Sequence, residues 1–183
     1  MSTTAIQSSS VKPQKGKKSS TDRTKGVIEI HTGQVKSYPK DPVIRATSLL
    51  GGAKILGIRP NNPHDWLSLI RQGIPTLALD SLSTNTHVTN TELAQILGIT
   101  TRKLAQRKRD GILSCKESER LLRVARAIAR AEDVFDDLNN ALDWMRSPII
   151  VLRGTTPFSL LDTEVGGEMV MQTLGRVQYG IPA

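Results

Sequence analysis

Aromatic side chains are scarce in this chain of 183 residues: two Phe, two Trp and two Tyr. A β-sandwich or barrel draws heavily on aromatic and β-branched residues, so the core has to come from Leu, Ile, Val, Ala and Met, which suits packed helices. There is one cysteine, Cys115, which excludes an intramolecular disulfide and suits a reducing interior. No run approaches the roughly 18 apolar residues of a membrane span, and the N-terminus lacks the apolar stretch of a secretory signal. The expectation is a soluble, cytoplasmic protein with no membrane partner.

Chemistry-bearing constellations are equally sparse. His31, His64 and His87 fall in presumed loop or linker sequence, share no helical face, and form no metal-ligand spacing with Cys115. Gly51-Gly52-Ala53-Lys54 lacks the strand, the glycine spacing and the following Ser or Thr of a phosphate loop. Asp133, Asp136 and Asp137 are expected to pair with nearby Arg130 and face solvent. No nucleophile–base pair emerges, so the sequence reads as neither an enzyme nor a cofactor binder.

Positive charge is what the chain has in excess. Lys and Arg number 25 against 17 Asp and Glu, a net +8. Residues 1–40 carry +6 of this, residues 41–150 carry +3, and residues 151–183 carry −1. A basic balance of this kind favours a polyanionic partner, usually nucleic acid. Residues 1–26 are rich in Ser, Thr, Lys and Gly and hold too few apolar groups to offset the entropy of ordering, which predicts a disordered basic tail. Beyond it, Val27 to Ile30 could form a short strand, and a brief helix from Val43 to Leu50 should stop at Gly51-Gly52.

From residue 63 the pattern is helical. One segment sets Trp66, Leu67 and Ile70 on a face and ends at Gly73; the next has Pro75 in its first turn, followed by Leu77, Leu79 and Leu82. Helices from Asn90 to Leu97 and from Thr100 to Lys108 come next. A long helix is predicted over 114–146, with Leu121, Ala125, Ile128, Phe135, Leu138, Leu142 and Met145 in one stripe, closed by Pro148. A connector at 149–154 leads to a short turn at Phe158 to Leu161. Asp162 or Thr163 then caps a last helix with Val165, Met169, Val170, Leu174 and Val177 on its apolar side.

The stretch TNTELAQILGITTRKL at 89–104 has the parts of a helix-turn-helix. Ala94 is the small residue at the crossing, Gly98 the turn, and Leu93, Leu97, Ile99 and Leu104 the apolar contacts. Thr100 or Thr101 caps the second helix. On that helix Arg102, Gln106 and Arg109 share a face and are the expected base readers, with Lys103, Arg107 and Lys108 assigned to phosphates. Such a motif usually reads paired half-sites, so a homodimer is expected. A solvated basic helix in a plain bundle is the competing reading of the same residues.

Residues 63–183 resemble antitoxins of the Xre/MbcA/ParS family, which accompany RES-domain toxins in type II toxin–antitoxin systems. The resemblance runs through LIRQGIP at 69–75, TELAQILGI at 91–99, LSCKESERL at 113–121, AEDVF at 131–135, ALDWM at 141–145, TPFSLLDT at 156–163 and LGRVQYG at 174–180. The blocks from Trp144 to Gly180 are the most particular. The resemblance implies an all-α fold with an Xre-like helix-turn-helix domain and a C-terminal toxin-binding domain; with the basic tail read from composition, the expected divisions are a tail and linker (1–42), the helix-turn-helix domain (43–113), and a long helix plus toxin-binding domain (114–183). It further implies that the C-terminal domain obstructs the NAD site of a toxin that depletes NAD or ADP-ribosylates a target, and that operator DNA binding autoregulates the operon. The toxin-facing residues it implies are Leu161, Asp162, Thr163, Glu168, Leu174, Arg176, Tyr179, Gly180 and Ile181. A stand-alone helix-turn-helix regulator with a helical oligomerisation domain is the alternative.

Overall fold

Short polar residues punctuate this chain, and in most cases they are where helices begin. A computed structural model describes residues 42–180, and among them there are ten α-helices and no strand. The first four are α1 (Pro42–Leu49), α2 (Gly52–Leu56), α3 (Pro63–Gln72) and α4 (Leu77–Thr86). Then come α5 (Asn90–Leu97), α6 (Thr101–Asp110), α7 (Cys115–Phe135), α8 (Leu138–Arg146), α9 (Pro157–Leu160) and α10 (Glu164–Gln178). Side-chain oxygens of Asn62, Thr89, Thr100, Ser114, Asp137, Thr156 and Thr163 each accept an otherwise unpaired N–H in a first turn. At α5 and α7 the caps are reciprocal: Glu92 and Glu117 accept from the backbone N–H of Thr89 and Ser114 at 2.7 Å each. The expected basic tail and the Val27–Ile30 strand lie outside the described residues.

The hydrophobic stripe over 114–146 is real, but it belongs to two helices. Asp136 takes a left-handed conformation (φ +55°) and Asp137 caps α8 by accepting from the Asn140 N–H at 2.9 Å. Aspartate tolerates that conformation because its short polar side chain bonds locally. The break lets α8 fold back on α7 and brings the Phe135 and Trp144 rings to 5.7 Å between centroids. Asp133 alone of the three aspartates pairs with Arg130, at 2.7 Å.

Smaller departures have similar causes. Pro75 stands before α4 rather than in its first turn, in an antiparallel bridge to Ile112 closed by Thr76 N–H to Gly111 and Leu113 N–H to Ile74. Leu69, not Leu67, joins Trp66 in the core of α3, and Leu67 is exposed. His64, expected in a loop, is exposed in the first turn of α3. The connector after Pro148 is a tight 3-10 turn (Ile150–Leu152) held between Ile149 and Thr155, with Leu152 buried and Ile150 exposed.

Helix α7 is the axis of the core. It touches α1, α3, α5, α8 and α10, and its Leu121, Val124, Ala125 and Ile128 are fully buried. The other large side chains shut completely from water are aliphatic or Met, among them Leu49, Leu79, Leu93, Leu104, Met145 and Leu161. The aliphatic core expected from composition is thus the one that forms; truncating any of these leucines to Ala costs about 2–5 kcal/mol. Polar pegs fix the packing. Arg45 of α1 grips Glu132 of α7 at 2.5 and 2.6 Å, and the buried Ser118 hydroxyl accepts the Ile74 N–H at 2.8 Å. The expected division after residue 113 falls at the cap of α7, and helices from both sides of it pack on α7.

Candidate functional site

Two surfaces collect the residues singled out in the sequence. The first is α5–turn–α6. Gly98 supplies a left-handed turn (φ +63°), and a Cβ there would stand 2.1 Å from the Arg120 guanidinium. That guanidinium, from α7, donates to the Leu97 carbonyl at 2.5 Å and so satisfies the end of α5. Leu104 seats α6 against the core, while Thr100 caps it through the Lys103 N–H at 3.2 Å.

The basic residues of α6 then divide by face. Arg102, Gln106 and Arg109 are exposed on one side and hold no ion pair among the described residues; Thr101 stands exposed at the helix start. Lys103 is half-buried. Arg107 reaches back to the Glu117 carboxylate at 2.8 Å, and Lys108 to Asp80 at 2.8 Å and Asn90 at 3.0 Å. Arg107 and Lys108, expected at phosphates, are thus each engaged within the chain. Both flank the buried Leu104, and their charges tie α6 to α7, α4 and α5. Burial works against ionisation of Glu117, but the Ser114 N–H, the Arg107 guanidinium and the Ser114 hydroxyl outweigh it and hold its carboxyl below the ordinary 4.5.

The second surface is α10. Gly166, Gly167, Val170, Thr173 and Leu174 face inward, and a Cβ on Gly166 would lie 2.0 Å from the Leu160 carbonyl oxygen, so glycine allows α10 to start directly against α9. Val165, Met169, Gln172 and Arg176 recur at helical spacing on the outer side, all exposed, and Tyr179 beyond the helix end is 79% exposed. Val165 and Met169, expected on the apolar inner side, thus stand in solvent. Of the toxin-facing candidates, Thr163, Glu168, Arg176, Tyr179 and Gly180 are exposed and Asp162 half-buried, with Thr163 also capping α10. Leu161 and Leu174 are fully buried and belong to the core, where they hold the outer face up from beneath. Ile181 lies outside the described residues.

Residues 65–126 match the family described as antitoxin Xre-like helix-turn-helix domain. Residues 130–180 match the antitoxin Xre/MbcA/ParS C-terminal toxin-binding domain. The chain is 34% identical over 149 residues to "Antitoxin Xre" of Yersinia enterocolitica, an alignment covering 80% of this chain and 99% of that protein. The chain is an Xre-family antitoxin. It is also 33% identical over 123 residues to "Antitoxin Xre" of Photorhabdus laumondii (66% of this chain, 82% of the relative). A "Prs ADP-ribosylating antitoxin" of a Sphingobium species is 27% identical over 129 residues (65% and 81%).

In this Xre antitoxin one residue touches both regions, and sequence reasoning missed it. Arg146 of α8 stands 3.5 Å from Glu92 of the α5 capping box, 3.5 Å from the Thr86 and His87 carbonyls, and 5.7 Å from the Phe158 ring centroid of α9. Burial opposes the charge of Glu92, yet the Thr89 N–H and hydroxyl together with Arg146 hold its carboxyl below 4.5. No local pattern announces such a residue, because its partners lie 54 to 60 positions upstream and 12 downstream. No described helix of this antitoxin is long and apolar enough to cross a membrane.

Proposed function

We propose that this antitoxin acts in the cytoplasm by binding alone, catalysing nothing itself, and neutralises a RES-domain toxin by laying the outer side of α10 and its C-terminal end over the toxin's NAD site. The observation that carries this reading is the exposed outer stripe of α10, where Val165 and Met169 offer apolar area, Arg176 a cation with no ion pair among the described residues and Tyr179 an exposed ring. All four lie within the segment that matches the toxin-binding family. Apolar residues with an aromatic and an arginine are the composition that concentrates binding energy at protein interfaces. The name of the Sphingobium relative carries ADP-ribosylation, a chemistry that draws on NAD, in keeping with a partner of that type. Asp162, Thr163 and Glu168 would border the same contact, with Gly180 and Ile181 extending it.

The same reading makes the protein an autorepressor that binds its operator as a homodimer, with Arg102, Gln106 and Arg109 at base edges and the α6 N-terminus, Thr101 and Lys103 at phosphates. Removing everything from Pro157 onward would also remove buried Leu161, Val170 and Leu174, so surface substitutions make the sharper test. Met169→Asp combined with Tyr179→Ala should abolish growth rescue when co-expressed with the toxin, with melting temperature unchanged. Full rescue by that variant would place the toxin elsewhere on the antitoxin.

A further inference from the structure

The turn between α8 and α9 belongs to neither of the two surfaces, and it is built more firmly than a connector requires. The Ile149 N–H donates to the Thr155 carbonyl at 3.2 Å, the Gly154 N–H to the Ile149 carbonyl at 2.9 Å, and the Thr155 hydroxyl to the Leu152 carbonyl at 2.7 Å. Arg153 and Gly154 reverse the chain in left-handed conformations (φ +56° and +75°), and Leu152 anchors the turn in the core.

What this frame holds out is apolar. Ile150 is 88% exposed, more than any other large hydrophobic side chain among the described residues, and Val151 beside it is exposed as well. Arg153 is also exposed and forms no ion pair among the described residues. A lone apolar side chain in solvent is ordinary on a protein surface. A pair at the tip of a turn whose backbone is already fixed is different. Little conformational freedom is left to lose when a partner covers it, so burial of the tip passes into affinity.

We infer that Ile150 and Val151 are a second anchor for the toxin, seated in an apolar socket whose rim carries a carboxylate for Arg153. Two observations select this occupant. The turn lies inside residues 130–180, the segment that matches the toxin-binding family. It also adjoins the outer face of α10 through α9, a single helical turn about 6 Å long. Thr156, next after the turn, caps α9, and the Leu160 carbonyl at the other end of α9 is where α10 begins at Gly166, beside the exposed Val165. The inference rests on the reading that α10 faces the toxin, and it extends that contact across α9 to a part of the chain that looks like a mere connector.

Binding of the full-length antitoxin to the purified RES-domain toxin from the adjacent reading frame, followed by titration calorimetry, tests it. Ile150→Asp should weaken toxin binding by roughly ten- to a hundredfold, and Ile150→Leu should stay near wild type. Both should keep the wild-type melting temperature and operator affinity. In a second measurement, Ile150→Cys is made together with Cys115→Ser, which removes the exposed native thiol. Toxin should then slow maleimide labelling at position 150, a readout that stands even where Ile150→Asp does not fold. Either an unchanged toxin affinity for a folded Ile150→Asp or labelling undiminished by toxin overturns the inference. If Met169→Asp/Tyr179→Ala nevertheless loses the toxin, the reading of α10 survives; if that variant keeps it too, both fall. An Ile150→Asp chain that sediments at lower mass than wild type in the absence of toxin gives the turn to a second copy and likewise overturns the inference.

Discussion

Arg107 and Arg109 stand two positions apart on α6 and have opposite surroundings. Arg109 projects from the exposed face with Arg102 and Gln106, whereas Arg107 is held by Glu117. Substituting them should therefore separate two quantities. Arg102→Ala and Arg109→Ala should each weaken operator binding by about 1–3 kcal/mol per lost base contact with an unchanged melt, measured by anisotropy titration at fixed salt. Arg107→Ala should lower thermal stability, with any affinity loss following the unfolding. An unchanged operator affinity for Arg102→Ala would return that residue to a merely solvated role. Glu117 adds a pH signature. Its folded carboxyl titrates below 4.5, so its contribution is complete above that value and fades as pH falls through the depressed folded value. Glu117→Gln should cost on the order of 1–3 kcal/mol at neutral pH, and the deficit relative to wild type should shrink below pH 4.5 in urea titrations. The exposed face of α6 was legible from spacing alone. The internal engagement of Arg107 and Lys108 was not, because Glu117 and Asp80 sit on other helices and a run of basic residues looks the same whichever way each one points.

Helix boundaries were the most legible features at the scale of elements, because caps are local chemistry. Thr89 with Glu92, Gly98, and the Thr163 cap all act within a few residues of themselves. The division of α7 from α8 was hidden by a hydrophobic period that runs through the break, while the signal for it, two successive aspartates, reads equally well as a solvated acidic patch. Two glycines carry element-level predictions. Gly98→Ala would force an L-residue into a left-handed turn and press on Arg120; Gly166→Ala would push the first turn of α10 off the Leu160 carbonyl. Each should lower stability by about 1–3 kcal/mol in urea unfolding. The two differ in readout: Gly98→Ala should impair operator binding first, Gly166→Ala toxin binding. A neutral Gly166→Ala would mean that α9 and α10 have room to separate.

Across the described molecule, the helix-turn-helix and the segment matching the toxin-binding family share one core built on α7, with Arg146 bridging α5 and α9 at its edge. The resemblance in the sequence reached the family and the order of its parts. It could not distinguish the buried Leu161 and Leu174 from the exposed Val165 and Met169, since all four are apolar residues at helical spacing and only the placement of α10 decides which face turns inward. The outer face of α10 is accordingly where the account is most exposed to test. The most direct measurement is cellular NAD and growth in a host expressing a RES-domain toxin, taken from the reading frame next to this antitoxin's own. Toxin alone, with wild-type antitoxin, and with the Met169→Asp/Tyr179→Ala variant are the three cultures to compare. NAD should collapse with toxin alone, recover with wild type, and collapse again with the variant. Steady NAD in all three cultures would contradict the account, leaving a regulator whose partner does not deplete NAD.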